Sequence, residues 1–209
     1  METGSDRILK LINKGFDVDT VVKSGCMAKE ADMILSEFIL LGIGGKELSE
    51  ENAAQTAKAL NIIQPDFIRV HATGIKLESK LGEFVRDGSF TLQSEEEIVV
   101  EQKLFLQQLH EMDSYYVNEH IVNLLLEVRG NLRTEKQEML STIDRFLTLP
   151  PDERLLFTVG RRLNIFFRLD DLKKPKLHQK AGESLQQILS KNPHVDFAAL
   201  CNYVRQSQI

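Results

Sequence analysis

Cysteine is almost absent from this chain, and its scarcity excludes several classes of protein. The only two cysteines, Cys26 and Cys201, lie 175 positions apart, so they form neither a Cys-x2-Cys pair nor a Cys/His zinc site. Two distant thiols are also too few for a disulfide scaffold. We expect both to be small buried residues in a reducing compartment, which indicates a cytoplasmic protein.

Net positive charge and long apolar runs are missing as well. The formal net charge is −5 and the pI is near 5.6, which argues against a general nucleic-acid binder because such proteins are usually basic. No apolar run approaches the roughly 18 residues of a membrane-spanning helix. The polar, acidic residues 1–6 do not resemble a signal peptide. The 209 residues suffice for one large domain, or for a domain with an appendage.

Helical and strand-like patterns alternate along the first part of the chain. Cap residues followed by amphipathic segments predict helices at 5–13, 19–31, 49–63 and 94–109. Short apolar segments between them predict strands at 33–41, 66–71 and 114–118. This spacing implies about three parallel strands with right-handed crossovers, as in a partial (β/α) barrel or an open α/β sheet.

The strand patterns stop after residue 118. Helices are predicted at 134–147, 152–162, 182–190 and 195–206. We therefore assign the fold class α/β, with the barrel-like part at residues 1–118 and an all-helical C-terminal extension at residues 119–209.

Alternation along the strand at 66–71 assigns its side chains to two faces. Phe67, Arg69 and His71 share the face expected to point into the barrel, and the residues between them face the helices. Because a buried arginine needs a carboxylate partner, we predict an ion pair between Arg69 and Glu37, with a solvated rim as the alternative. His71 is interpreted as a hydrogen-bonded strand-end histidine rather than a catalyst. No role is assigned to the other histidines: His110, His120, His178 and His194.

Gly42-Ile43-Gly44-Gly45 connects a predicted strand to a predicted helix. Glycines at such a turn let the backbone approach a ligand closely, although many strand-to-helix turns contain glycine for structural reasons alone. The segment is neither a P-loop nor a dinucleotide fingerprint, because the required Gly-Lys-Ser/Thr and third glycine are absent. Glu2-Thr3-Gly4-Ser5-Asp6, taken by itself, is only a helix cap.

Together, however, these segments closely resemble radical S-adenosylmethionine proteins, above all the elongator-type branch. The resemblance covers about residues 1–163 and includes Leu48-Ser49-Glu50-Glu51-Asn52 and Pro65-Asp66-Phe67-Ile68-Arg69. It implies the second half of a (β/α)6 partial barrel, a partial TIM-type barrel with S-adenosylmethionine across its mouth. The residues that the resemblance implies for cofactor binding are Glu2, Thr3, Gly4, Ser5, Gly42, Gly44, Gly45 and Arg69.

The main departure from that family is the missing iron–sulfur motif. Full-length relatives hold a [4Fe–4S] cluster with a Cys-x3-Cys-x2-Cys loop after the first barrel strand. This chain corresponds to the barrel from its fourth strand onward and has no such loop. Lys76–Lys80 also replaces a Pro-Gly-Thr-Pro-like turn. The resemblance therefore implies a truncated protein that carries the cofactor side of the site but no metal ligands and no catalytic residues. Such a fragment would be inactive alone, although its parent would be an enzyme.

Two other functions stay open. The chain could be a non-catalytic binding or structural module that completes a barrel with a partner, either the missing N-terminal half or a second copy joined through the exposed sheet edge. The excess of positive charge at residues 161–180 could instead contact RNA, although a solvated basic helix end is the simpler interpretation. No membrane partner is expected, and the sequence singles out no substrate.

Overall fold

A four-stranded mixed sheet lies at the centre of the fold, in a computed structural model that describes residues 1–208. The strands follow one another in the order β1 (Ser36–Leu41), β2 (Phe67–Ala72), β3 (Tyr115–Val117) and β4 (Gly130–Asn131). The first three run parallel, and β4 pairs antiparallel with β3. The predicted α/β class is confirmed. The sheet is open and mixed, which is a coarser description than the partial barrel that the resemblance implies.

The prediction that the chain is all-helical after residue 118 is wrong at β4. This strand has two residues, and a Gly-Asn pair has neither apolar alternation nor strand propensity. Its pairing depends instead on β3, because Tyr115 aligns with Asn131 and Tyr116 with Gly130. Tertiary pairing therefore creates a strand that the local sequence does not encode.

Nine α-helices lie within the described residues, and most predicted helices agree with them to within two or three positions. The bounds are α1 (Asp6–Leu11), α2 (Val18–Glu30), α3 (Ser49–Ile63), α4 (Lys80–Asp87), α5 (Glu95–Gln108), α6 (Lys136–Leu147), α7 (Pro151–Arg162), α8 (Pro175–Lys191) and α9 (Phe197–Gln206).

Side-chain caps explain where several of these helices begin. Ser94 accepts a hydrogen bond from the Glu97 amide, and the Glu97 carboxylate accepts one from the Ser94 amide, which completes a capping box for α5. The cap of α2 is Asp17 rather than the predicted Asp19, because the Asp17 carboxylate accepts the Thr20 amide at 2.8 Å.

Two helices differ more from the prediction. The α4 helix was not predicted, although Ser79 caps its start and Gly88, with φ +81°, ends it. The α8 helix begins at Pro175, seven residues before the predicted start at residue 182, because proline fits the first position of a helix.

Helices α3 and α5 pack together against one face of the sheet. On that face Ile39, Ile68 and Val70 are 1%, 0% and 0% exposed. The same hydrophobic core extends to Phe146 in α6 and Phe157 in α7, so it includes both predicted segments of the chain. The division at residue 118 stays a prediction.

The other face of the sheet is only partly covered. It carries a set of side chains that we call the open face: Phe38, Leu40, Phe67, Arg69, His71 and Tyr115. Alternation along β2 is as predicted, since the residues between Phe67, Arg69 and His71 are buried. Phe38 and Tyr115 expose 48% and 39% of their surface, so the sheet is amphipathic with an accessible aromatic side.

Within residues 1–208, the structure contains no helix whose length and apolar character would let it cross a bilayer.

Candidate binding site at the strand ends

A cavity of about 560 Å³ opens beyond the C-terminal ends of β1 and β2. Leu40, Ile43, His71, Ala72 and His120 form the part of its wall that lies nearest the sheet. Ligands of open α/β sheets commonly bind outside the carboxyl ends of the strands. The volume also lies within the range of small-molecule sites. The cavity is therefore the candidate binding site.

The glycine turn after β1 delivers Ile43 to this cavity. Gly42 and Gly45 have φ values of +80° and +63°, a region of backbone conformation that glycine adopts without strain. Ile43 is 5% exposed and packs in a small cluster with Ile8 and Leu48. The turn is thus held by packing on α1 and on the start of α3.

A buried polar network lies behind the turn. The Glu101 carboxylate accepts hydrogen bonds from the Gly42 amide at 3.0 Å, from Asn52 Nδ2 at 2.7 Å and from Ser49 Oγ at 2.8 Å. Burial raises the pKa of Glu101, and these hydrogen bonds oppose that shift. Because Glu101 accepts the Gly42 amide, that amide is not available to a ligand.

The N-terminal segment lies beside β1 and is packed onto α3. The Glu2 carbonyl oxygen accepts a hydrogen bond from the Leu40 amide at 2.9 Å. Thr3 Oγ1 donates to Asn52 Oδ1 at 2.6 Å, and the Gly4 amide donates to Thr56 Oγ1 at 2.8 Å. A side chain at Gly4 would clash with the backbone of α3. Glycine is therefore required here for close packing.

The eight residues predicted to bind the cofactor do not share one cavity. Thr3 and Gly42 belong to the same buried network through Asn52 and Glu101. Gly4 and Ser5 line a separate groove of about 630 Å³ beside α2 and α3. Ser5 also donates its hydroxyl to Glu51.

The remaining members of the set lie elsewhere. A Cβ at Gly44 would lie 2.9 Å from Leu48 Cβ, and one at Gly45 would lie 2.9 Å from the Thr91 carbonyl oxygen. Both glycines therefore pack against protein atoms. The carboxylate of Glu2 pairs with Lys14, and Arg69 lies on the open face. The cofactor assignment of these residues stays a prediction.

The predicted ion pair between Glu37 and Arg69 is wrong. Arg69 aligns with Phe38 across the β1–β2 pairing, whereas Glu37 aligns with Ile68. The two charged side chains therefore lie on opposite faces of the sheet. Glu37 pairs with the terminal amine of Met1 at 2.5 Å. The Nε of Arg69 donates to Ser36 Oγ at 3.0 Å.

Two histidines meet at the cavity wall. The imidazole rings of His71 and His120 have centroids 4.3 Å apart and an interplanar angle of 32°. Burial lowers the pKa of His71, and the nearby charges of His120 and Arg69 lower it further. No role was predicted for His120, because 49 positions separate it from His71 and only the fold brings the rings together.

Two asparagines fix the chain segment that follows β2. Asn123 accepts the Ala72 amide at 2.7 Å and donates to the Val70 carbonyl at 2.6 Å. Asn202 of α9 accepts the Ile75 amide at 2.8 Å and donates to the Ile75 carbonyl at 2.9 Å. These side chains hold the backbone that lines the cavity, and the sequence analysis missed both. The residues next to a single asparagine in the sequence do not indicate that its side chain will bind a distant backbone segment.

A buried charge cluster anchors α9 beside the same region. Glu95 binds both Arg162 and Arg205, and the three side chains are 3%, 4% and 2% exposed. Arg205 Nε also donates to the Thr73 carbonyl at 2.9 Å. Cys201 lies next to this cluster, and burial raises the pKa of its thiol to about 12. Within residues 1–208, no three His, Cys, Asp or Glu side chains are grouped as metal ligands.

The basic segment at residues 161–180 is only partly exposed. Arg161 and Arg162 are 1% and 6% exposed. Lys173 and Lys174 form ion pairs with neighbouring aspartates at 2.8 and 2.7 Å. The two buried arginines do not reach a phosphate backbone, whereas the other lysine and arginine residues of the segment are exposed, and RNA contact stays a prediction.

Comparisons of this chain with protein-family models, with curated proteins and with solved structures found no match.

Proposed function

We propose that this chain forms the cofactor-side half of a radical S-adenosylmethionine-type partial barrel and binds the adenosyl part of the cofactor. The observation that carries the proposal is the cavity at the C-terminal ends of β1 and β2, whose wall includes Ile43 of the glycine turn. The motif resemblance supplies the identity of the ligand.

The walls of this cavity are better suited to bind the nucleoside than are the eight residues predicted from the sequence. A planar, largely apolar base suits a wall made by Leu40, Ile43 and Ala72. The hydroxyl and amide donors of Thr3, Ser5 and Gly42, however, are used inside the protein. These residues therefore act as positioning residues that hold β1 and the turn in place. When bound, S-adenosylmethionine would supply the cleavable carbon–sulfur bond.

Catalysis in this family also needs a cluster that this chain cannot ligate by itself. Its two cysteines are far apart, and the buried Cys201 carries a thiol with a raised pKa. A complete site would need ligands from outside this sequence. The accessible aromatic side of the sheet supports a partner there, either an N-terminal barrel half or a second copy. A non-catalytic module that completes such a barrel remains the second candidate function.

The proposal is tested by nucleoside binding. S-adenosylhomocysteine and adenosine should bind the isolated chain, as measured by calorimetry or by ligand-observed NMR. Leu40→Trp, which fills the cavity, should weaken binding by about tenfold or more. Val22→Trp is the matched control, because Val22 lines the separate groove that contains Gly4 and Ser5. Its affinity should stay unchanged.

Two results would contradict the proposal. Absence of nucleoside binding at millimolar concentration would remove the cofactor assignment. A loss of binding in Val22→Trp but not in Leu40→Trp would move the site to the other groove. Thermal unfolding of both variants establishes that each remains folded.

A further inference from the structure

Within residues 1–208, the titratable groups that line the cavity at the strand ends are all basic. They are His71, Lys76 and His120, and no aspartate or glutamate of this part of the chain lines the cavity. The whole chain has 31 acidic residues against 26 lysines and arginines. The basic lining favours an anionic ligand despite the net negative charge of the chain, because a cleft lined by groups of one sign concentrates ions of the opposite sign.

Arg69 extends this basic character onto the open face. Its guanidinium lies over the rings of Phe38 and Phe67, at 6.0 and 5.8 Å from their centroids. Among the described residues, Arg69 forms no ion pair, whereas Arg133, Arg145 and most other arginines do. Apart from the bond from Nε to a serine hydroxyl, its guanidinium donors are free to bind a ligand.

These groups form a continuous row across the open face. Phe38 lies between Arg69 and His71, with its ring 5.6 Å from the imidazole in an edge-to-face arrangement. His71 in turn stacks on His120. We call the residues Arg69, Phe38, His71 and His120 the basic row. The Phe38 ring thus lies between a guanidinium and two imidazoles, which suits a ligand with a planar body and a negative group.

Two buried polar atoms at the cavity have no hydrogen-bond partner within residues 1–208. They are Thr73 Oγ1 and Gln208 Oε1, and both residues line the cavity. Buried polar groups are normally hydrogen-bonded, so these two atoms have the capacity to bind a ligand. The Thr73 hydroxyl can donate to an anionic oxygen, whereas the Gln208 amide oxygen only accepts a hydrogen bond.

We propose that the basic row, which borders the cavity through His71 and His120, binds an aromatic organic anion, with its carboxylate or phosphate oxygens against Arg69 and the two histidines. The geometry of the row is the basis for anion binding. The further statement that the anion is the substrate of the barrel rests on the proposed function, because the row adjoins the nucleoside cavity. The proposal names the substrate class that the sequence left open.

Anion binding should strengthen as the pH falls. The charged groups that face His71 are Arg69 on β2 and His120 on the β3–β4 connection, and both oppose its protonation. A bound anion favours the protonated imidazole, so the affinity should rise as the pH is lowered below 6.5, toward the lowered pKa of free His71.

The test is a titration followed by NMR of the five histidine side chains at pH 6. The probes are phenyl phosphate, benzoate and the neutral benzyl alcohol. Both anions should shift the signals of His71 and His120, and benzyl alcohol should bind about tenfold more weakly or worse. Similar affinities for phenyl phosphate and benzoate would indicate that the negative charge, rather than the geometry of a phosphate group, determines binding.

Variants separate the basic row from general charge effects. Arg69→Gln should weaken both anions by about tenfold, and Arg69→Lys should retain part of the affinity. Arg133→Gln is the matched control on an exposed arginine, and His110→Gln is the control for the histidines. Both should bind as the unchanged protein does. Because Arg69 lies on the accessible face, its replacement should leave the fold intact. Partial binding by Arg69→Lys would show that the loss in Arg69→Gln is not a folding defect.

Three outcomes would overturn the proposal: no shift with either anion, equal affinity for benzyl alcohol, or equal losses in Arg69→Gln and Arg133→Gln. Failure of nucleoside binding with intact anion binding would instead remove the proposed function and leave the anion site in place. The two ideas are therefore distinguishable.

Discussion

Replacement of Glu95 by glutamine should destabilise the fold severely, because Glu95 is the only carboxylate within residues 1–208 that binds Arg162 and Arg205. All three side chains are nearly inaccessible to solvent. The amide of Glu95→Gln carries no charge, so two guanidinium groups would stay buried without a counter-charge. Breaking a buried ion pair by removing one partner costs about 3–5 kcal/mol. We expect a loss of that size in the free energy of unfolding, measured by urea titration followed by circular dichroism.

The adjacent Glu96 provides a matched control. It forms an ion pair with Arg154 at 2.9 Å, but its side chain is 47% exposed. Exposed ion pairs contribute about 0–1 kcal/mol, so Glu96→Gln should change the stability by less than about 1 kcal/mol. Both variants make the same chemical change one position apart at the start of α5. If Glu95→Gln lost no more stability than Glu96→Gln, the reasoning about the buried cluster would be refuted.

The same cluster predicts a dependence of stability on pH. Burial alone would raise the pKa of Glu95, but Arg162 and Arg205 outweigh it and lower the pKa from the usual value of 4.5. A carboxyl group whose pKa is lower in the folded state stabilises the fold above its unfolded pKa. That stabilisation is lost as the pH falls through the folded value. The unfolding free energy of Glu95→Gln should therefore fall less steeply in acid than that of the unchanged protein.

Two further predictions follow from burial. Gly44→Ala should destabilise the fold by about 1–3 kcal/mol, because its new Cβ would press on Leu48; Gly182→Ala, inside α8 with open space around it, should instead stabilise it by about 0.5–1 kcal/mol. Equal effects in urea unfolding would refute the packing argument. Cys26 is only half-buried, so the prediction that both cysteines are buried holds for Cys201 alone. A thiol reagent at pH 8 should therefore label Cys26 in the folded protein but leave Cys201 unlabelled, because Cys201 is 2% exposed and the pKa of its thiol is about 12. Mass spectrometry after brief labelling tests this, and rapid modification of Cys201 would contradict it.

Local sequence determined much of the secondary structure. The predicted helix at residues 49–63 has the observed bounds of α3, and the helix predicted from residue 94 has Ser94 as its observed cap. Alternation along β2 assigned its faces correctly. These features depend on residues a few positions apart, such as a cap and the amide it accepts, or on the two-residue period of a strand. Such information is present in any short segment of the chain.

Pairing between distant segments was decided only by the tertiary structure. The register between β1 and β2 separates Glu37 from Arg69, and a shift by one residue would have reversed that result. The stacked rings of His71 and His120 are 49 positions apart in the sequence. Asn202 hydrogen-bonds the Ile75 carbonyl oxygen across 127 positions. No periodicity in the sequence encodes these contacts.

Part of the candidate site could be predicted from the sequence, and part of it only the tertiary structure shows. The sequence singled out the glycine turn, and Ile43 of that turn does line the cavity. The basic groups that line the cavity and the row around Arg69 arise from separate segments of the chain, so no single motif contains them. Local composition sets which helices and strands form, because short-range sterics and hydrogen bonds decide them. Which charged groups share a cavity depends on strand register and helix packing, because only these fix distances between residues far apart in the chain.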